Sequence, residues 1–461
     1  MNPYDILDAI GHADDHLLVN ARKKPIARPR LFLSLAAAAA CLGLVAGVFT
    51  LGGRKPQLHQ VDFPEVEYAT SPGIHHTSGN LMEGITAEVI SESADLTDGR
   101  EALTDFALDL FLEAQQAEEN TLLSPLSVLC ALGMTANGAE EETLAELEAI
   151  FGMDRDTLNL YLHTYLQSLP QGEAYKLKLA NSIWFRDDPN LAVGRDFLQK
   201  NANFYDATLY QVPFNAKTLG DINNWVSQKT GGMIPAILDE IPERAVMYLI
   251  NALAFEADWE EAFPLEEIKP GAFITLSGDR QTVDMMTSTE NRYLNDGNAR
   301  GFIKYFKDQS YAFVALLPNE GMTPADYLAT LDGKALSNLL ANPTEEKVEV
   351  FLPRFQVAYE ADLIDALHKM GVERLFDQEN ANLSSLGQSK ENLFASRVIH
   401  KTFFAIGETG ARAGAATAVE IKEAEGIIEH EAIFFNRPFV YMLIDTQTNL
   451  PFFIGSAMSM E

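Results

Sequence analysis

Residues 408–424, ETGARAGAATAVEIKEA, constrain the fold more than any other stretch, because their composition and their periodicity disagree. Alanine, glutamate and lysine favour helix, and the glycines favour a free loop. Read with period two, Ala411, Ala413, Ala415, Thr417, Val419 and Ile421 form one small-to-apolar face. Arg412, Gly414, Ala416, Ala418, Glu420 and Lys422 form the other, which takes every charge between them. That is the pattern of a strand. Side chains this small suit a strand that enters between neighbours already packed on a core, where larger groups would collide. Proline is absent from 408–437, as a central strand requires. The competing reading of these residues alone is an alanine-rich solvated loop.

The globular part of the chain reads as α+β. EALTDFALDLFLEAQQ (101–116) places Leu103, Phe106, Ala107, Leu110 and Phe111 at helical spacing, and PLSVLCALGMTANGA begins a second helix with Pro125 in its first turn. Helices dominate the first half. Strand-like runs come later, rich in aromatic and branched residues: YAFVALLP (311–318), KVEVFLPRF (347–355) and FVYMLIDT (439–446). Strand and helix do not alternate regularly, which argues against a doubly wound sheet, and no internal repeat is present.

Ahead of this unit, LFLSLAAAAACLGLVAGVFTL (31–51) runs 21 residues without a charge. At about 1.5 Å per residue it spans a hydrocarbon core of roughly 30 Å. Arg22, Lys23, Lys24, Arg28 and Arg30 precede it and only Arg54 and Lys55 follow, so the positive-inside rule puts residues 1–30 in the cytoplasm. The expected organisation is a cytoplasmic segment (1–30), one transmembrane helix (31–52), an extracellular linker (53–98) and a globular domain (99–461) held outside the cell membrane. A cleaved signal peptide would have a shorter apolar run, and lipidation at Cys41 is opposed by the apolar residues Leu42–Leu51 that continue past it. His12 and His16 could share a helix face as metal ligands, but with no further ligand a solvated helix is the plainer reading. SPGIHHTSGN within 53–98 reads as a tether.

Charge narrows the partners. The chain has 66 acidic and 34 basic residues, and its net charge of -32 repels phosphate backbones, so no nucleic acid is expected. Cys41 and Cys130 are too few for a disulfide scaffold or a four-cysteine zinc site, and neither metal nor cofactor is expected.

Enzyme motifs fail in turn. Lys229, Thr230 and Gly231 spell the KTG of penicillin-recognising serine enzymes, which are often membrane-anchored, yet no S-x-x-K occurs to supply the nucleophile. His430 and Glu431 begin an H-E-x-x-H, but Phe434 holds the second histidine position. Gly407, Gly410 and Gly414 fit neither the dinucleotide nor the nucleotide fingerprint. No catalytic residue is expected.

Over roughly residues 99–461 the chain resembles the serpin family. Glu408, Thr409 and Gly410 followed by ARAGAATA resemble the serpin hinge, and FNRPFVYMLIDTQTNLPFFIGSAM (435–458) resembles the carboxy-terminal strands. NTLLSPLSV (120–128), LANSIWF (179–185), INNWVSQKTGGMI (222–234), INALAFEADWEEAF (250–263) and LPRFQVAYEADLIDALHKMGV (352–372) match in the family's order. The KTG then falls in a serpin helix-turn segment.

The resemblance implies a serpin fold with a helical first half, a large central mixed sheet and an exposed reactive loop, here as a membrane-anchored, bacterial-type member, expected to be monomeric. It implies no enzyme but a suicide inhibitor of serine proteases, bound to its target through a covalent acyl complex. Cleavage of the loop is followed by its insertion into the central sheet; strand addition and stored strain in serpins are the general examples of such a step. By motif, Glu408, Gly410, Ala411, Ala413, Ala415 and Thr417 correspond to the hinge, and Ser124, Ser127, Asn251 and His400 to the shutter beneath the strands that separate. Trp259 corresponds to the breach, where insertion begins.

Counting from the hinge puts the scissile bond at Ala424–Glu425; counting back from Pro438 puts it at Ile427–Ile428. Either first residue suits an elastase-like or subtilisin-like pocket, whereas Lys422 offers a trypsin-like bond with a shorter inserting segment. Arg412 replaces a usual acidic residue and Gly414 a usual alanine, which keeps a serpin-fold binding module that never inserts as the second reading.

Overall fold

The computed structural model describes residues 79–170, 175–242, 245–411 and 431–460. The stretches expected to be a cytoplasmic segment (1–30), a membrane span (31–52) and a reactive loop beyond Ala411 lie outside the described residues. Among those described, no helix is long and apolar enough to cross a membrane.

The first helices follow from their spacing. Helix α1 (Arg100–Ala114) buries Leu103, Phe106, Ala107, Leu110 and Phe111, the face its 3.6-residue period defines. Helix α2 (Pro125–Ala136) is buried all round. Ser124 caps it by accepting the Ser127 N–H (3.3 Å), and Pro125 occupies the first turn, where its missing N–H costs nothing. Helices α3 (Glu141–Phe151), α4 (Arg155–Ser168), α5 (Arg195–Tyr205) and α6 (Ala216–Lys229) complete the first half.

Three principal sheets carry the rest. The central one runs in the order β1 (Gly79–Asn80), β5 (Thr208–Val212), β3 (Tyr175–Arg186), β6 (Met247–Asp258), β16 (Gly410–Ala411), β15 (Arg397–Gly407), β13 (Phe355–Asp362). A six-stranded antiparallel sheet runs β2 (Thr121–Leu123), β19 (Pro451–Ala457), β18 (Phe439–Asp445), β11 (Tyr311–Pro318), β10 (Ala299–Tyr305), β9 (Tyr293–Asn295). The third joins β17 (Glu431–Phe434), β12 (Val348–Pro353), β8 (Arg280–Glu290) and β7 (Ile268–Ile274). A short pair, β4 (Ala192–Val193) with β14 (Gly387–Gln388), lies apart. The strand-like runs at 311–318, 347–355 and 439–446 thus become β11, β12 with the start of β13, and β18.

Both faces of the central sheet are covered. On the inner face Leu249, Leu253, Phe255 and Phe404 join a continuous core with α2 and the six-stranded sheet, where Phe404 stacks on Tyr441 at 5.7 Å. On the outer face Trp184, Tyr248, Ile250 and Ile399 pack with Ile222, Trp225 and Val226 of α6. Thr230 ends α6: its hydroxyl donates to the Val226 carbonyl (2.8 Å) and accepts the Ile234 N–H (3.1 Å). Gly231 and Gly232 follow with φ of 64° and 85°. The KTG is a helix-terminating turn.

Residues ahead of the expected boundary at 99 already make contacts with the fold. Gly79 and Asn80 pair with Gln211 and Tyr210, and the buried Leu81 donates its N–H to the Leu209 carbonyl at 2.9 Å. Further on, Asn203 accepts the Glu88 N–H and Thr164 the Ala94 N–H. A polar, aperiodic segment needs no core of its own when it can share backbone hydrogen bonds with a sheet edge, which is why hydropathy alone reads it as a tether.

Candidate functional site

Between β6 and β15 the central sheet has a seam. Over Tyr248–Leu253 and Arg397–Thr402 the two strands pair directly and in parallel. Beyond this stretch they part, and Gly410–Ala411 fills the space, antiparallel to both, with Ala411 opposite Ile406 on one side and Ala257 on the other. Ala411 is completely buried. The first two residues of the segment expected to follow the hinge turn, Gly410 and Ala411, are therefore already seated in the sheet.

The turn that delivers it is held at every carbonyl. Trp259 Nε1 donates to the Gly407 carbonyl (2.8 Å), Phe263 N to that of Glu408 (2.9 Å) and Trp259 N to that of Thr409 (2.9 Å). The Trp259 indole is fixed in turn: it stacks on Phe306 at 4.4 Å, and the Lys304 ammonium lies 5.7 Å from its ring and 4.6 Å from that of Phe263. Lys304, itself buried, pairs with Glu290 at 2.5 Å. The Glu408 carboxylate accepts from Arg354 Nη2 at 2.7 Å, and Arg354 also faces Asp284 at 3.6 Å.

Gly410 has a φ of 153°, and a Cβ there would run into the Ala257 carbonyl. Gly410→Ala is expected to unseat the two-residue strand at a cost of about 2 kcal/mol. Hydrogen exchange checks it: protection is lost across Gly410–Ala411 while β6 and β15 keep theirs over their direct pairing.

Beneath the seam lies a buried polar cluster. His400 and Asn251 are register partners across it. His400 Nε2 accepts the Ser124 N–H at 3.1 Å, so the neutral ring carries its proton on Nδ1. Burial alone pushes the imidazole down to about 3. Asn251 donates through Nδ2 to Asn181 Oδ1, and Thr402 Oγ1 donates to the Leu122 carbonyl at 2.7 Å. Burial pushes the Cys130 thiol up to about 12, an effect that the Asn181 side chain opposes. Three atoms here have no hydrogen-bond partner among the described residues: Ser127 Oγ, Asn251 Oδ1 and His400 Nδ1.

The structure thus brings Ser124, Ser127, Asn251 and His400 together under the seam and places Glu408, Gly410, Ala411 and Trp259 at its open end. Ala413, Ala415, Thr417, Ala424, Glu425, Ile427 and Ile428 lie outside the described residues. Sequence reasoning missed Arg354, Phe263, Asn181 and Cys130. Arg354 sits in the quoted LPRF run, but neither it nor the others carried a local signal of the partner each meets.

Known proteins share this architecture. The profile of the family described as Serpin (serine protease inhibitor) matches residues 101–460. Serpin B3 of Homo sapiens is 30% identical over 384 residues, covering 77% of this chain and 97% of its own. The leukocyte elastase inhibitor of Equus caballus is 29% identical over 375 residues, covering 77% and 97%. Among solved structures, the thermophilic serpin tengpin in its native state superposes with a TM-score of 0.79 at 40% identity, covering 83% of this chain and all of that one; its latent state gives 0.71 at 39%, covering 81% and 100%.

Proposed function

The chain belongs to the serpin family, whose members are in general inhibitors rather than enzymes, and from that premise we propose how it inhibits. It is a suicide substrate for elastase-like or subtilisin-like serine proteases. The protease serine Oγ attacks the Ala424 carbonyl carbon, its hydroxyl proton passes to the Glu425 nitrogen, the Ala424–Glu425 amide breaks, Glu425 leaves as a free amine, and an ester joins the two proteins. Segment 411–421 then enters the seam and carries the captured protease away from its own deacylation geometry.

The observation that carries this reading is the agreement of three registers. Continuing β16 from Ala411 brings Ala413 opposite Phe255 and Phe404, Ala415 opposite Leu253 and Thr402, Thr417 opposite Asn251 and His400, and Val419 opposite Leu249 and Val398. His400 and Asn251 are already partners in the parallel pairing, so β6 and β15 need only move apart by about one strand spacing, roughly 4.8 Å, with no sliding along their axes. The small face of the segment meets the core side throughout. Thr417, whose hydroxyl both donates and accepts, arrives in the row of the unpartnered Asn251 Oδ1 and His400 Nδ1.

Strand β6 begins at Met247, which the same register pairs with Ile421. Ala424 lies three residues past the end of the slot and Ile427 six, so a bond at Ala424–Glu425 leaves the shorter slack between strand and captive. Residues 31–51 anchor this inhibitor in the membrane as a monomer, with the serpin domain outside. Gly414, which adds unfolded-chain entropy within the inserting strand, is the observation behind the second reading, a binding module that never inserts.

Cutting the loop with an elastase separates them. Mass spectrometry of the released fragment is expected to begin at Glu425, and the cut chain to melt well above the intact one, because the inserted strand adds backbone pairs on both sides. Equal melting of cut and intact protein would leave only the binding module.

A further inference from the structure

Strand β3 is flanked on both sides for only part of its length. From Tyr175 to Phe185 it pairs with β6, but on its other side β5 begins with Thr208 opposite Ser182 and reaches no further back. Among the described residues, the edge of β3 ahead of Ser182 therefore carries no strand. The direction of its backbone groups follows by alternation. Arg186 donates its N–H to Val246 on the β6 side, and Asp187 donates to Val212 on the β5 side. Even-numbered residues thus serve β6, and Leu177 and Leu179 turn their N–H and C=O toward the open edge.

A cavity of about 420 Å³ lies along this edge, and its two walls differ. On the outer face Ala180 and Trp184 pack with Trp225 of α6, so alternation puts Lys176 and Lys178 on that face too. Lys229, the last residue of α6 and the first of the KTG, joins them with its ammonium 5.8 Å from the Trp225 ring. Lys176 is held by Glu256 at 2.9 Å, whereas Lys178 and Lys229 have no ion-pair partner among the described residues. On the inner side, Leu166 and Leu169 at the end of α4 line the cavity. Asp206 is the only carboxylate among its described lining residues. Three lysines to one aspartate run against a chain of 66 acidic and 34 basic residues.

We propose that this edge is a docking site for a partner protein that presents an extended acidic segment, which adds to β3 as a further strand in line with β5. The backbone of Leu177 and Leu179 pairs with the segment whatever its sequence, and the walls read its side chains. Those that rise to the outer face are carboxylates, which meet Lys178 and Lys229. Those between them turn inward and are apolar, facing Leu166 and Leu169. From Tyr175 to Asn181 the edge runs roughly 20 Å, the length of about six extended residues. Lysines on an edge repel a second copy of the same edge while leaving an acidic strand free to pair, which favours a different protein over this chain as the occupant. The site lies on the side of β3 away from the seam.

Fluorescence anisotropy with the full chain tests this. The probe is a labelled peptide with glutamate at alternate positions and valine between them. A peptide of the same composition with its glutamates in one block is expected to bind about tenfold more weakly, and one N-methylated at the amides that face Leu177 and Leu179 about tenfold more weakly as well. Lys178→Ala together with Lys229→Ala is expected to weaken the alternating peptide about fivefold. Hydrogen exchange is expected to show new protection at the Leu177 and Leu179 amides when that peptide binds. Equal binding of the three peptides, or binding without that protection, means attraction to lysines with no added strand and overturns the proposal. A chain that leaves the peptide unbound, whether it takes up a sulfated polysaccharide or pairs with a second copy of itself instead, overturns it too. The decisive changes are made in the peptide, so the folding of the chain is the same throughout.

Discussion

Thr417→Arg is expected to turn the inhibitor into a substrate that elastase cuts and releases. The register from Ala411 carries position 417 to the row of Asn251 and His400, both buried, above a helix α2 that is buried on every side. The neighbours there are Ser124, Ser127, Asn181 and Cys130, and none of them is a carboxylate. Burying an unpaired guanidinium costs several kcal/mol. If only about 3 kcal/mol of that reaches the barrier to insertion, the step slows more than a hundredfold and deacylation wins. Gel electrophoresis in SDS reads the outcome directly; covalent complex at wild-type yield would sink the proposed insertion path. Thr417→Val separates shape from hydrogen bonding. It fits the same space, so the complex still forms, but the cut chain is less stable by about 1–3 kcal/mol because Asn251 Oδ1 and His400 Nδ1 stay unpartnered.

The second large effect concerns acid. Burial holds His400 down at about 3 in the folded chain, against an ordinary value of 6.5. Between those values the unfolded chain binds a proton that the folded chain refuses, so stability rises with pH across this window. The contribution is fully present above pH 6.5 and is lost progressively as the pH falls toward 3. A shift of this size corresponds to roughly 5 kcal/mol as an upper bound. His400→Gln removes the titration and keeps an acceptor for the Ser124 N–H. Subtracting the stability of the variant from that of the wild type at each pH isolates the histidine from the many carboxylates. The difference is expected to shrink steadily below pH 6.5, and a flat difference down to pH 4 would mean that the imidazole can be protonated in place.

Much of the fold was legible residue by residue. Leu103, Phe106, Leu110 and Phe111 announced α1 because helical spacing brings them to one side, and Tyr311–Pro318 announced β11 because a continuous apolar run of eight is what a fully buried strand needs. Blocks resembling the serpin family led to Ser124, Ser127, Asn251, His400 and Trp259. The Arg354–Glu408 ion pair was not legible: its members are 54 residues apart, and an exposed-looking arginine between two strands has the same local pattern whether it faces solvent or a carboxylate. The contacts of the segment ahead of residue 99 were not legible for a related reason. Residues 79–98 are held largely by backbone hydrogen bonds to β5 and side-chain caps from α4 and α5, and neither leaves a mark on hydropathy.

From its own residues, the stretch after Gly410 reads as a strand with one face too small for an ordinary core, since alternation of side chains along an extended backbone is a property of the chain alone. Which strands flank Gly410 and Ala411, and which residues those two meet, came only from the folded molecule. Backbone N–H and C=O groups are chemically the same at nearly every position, so pairing carries no local label. It is decided where side chains from distant segments pack on both faces of the sheet, as Asn251 and His400, 149 residues apart, do at the row to which Thr417 is assigned.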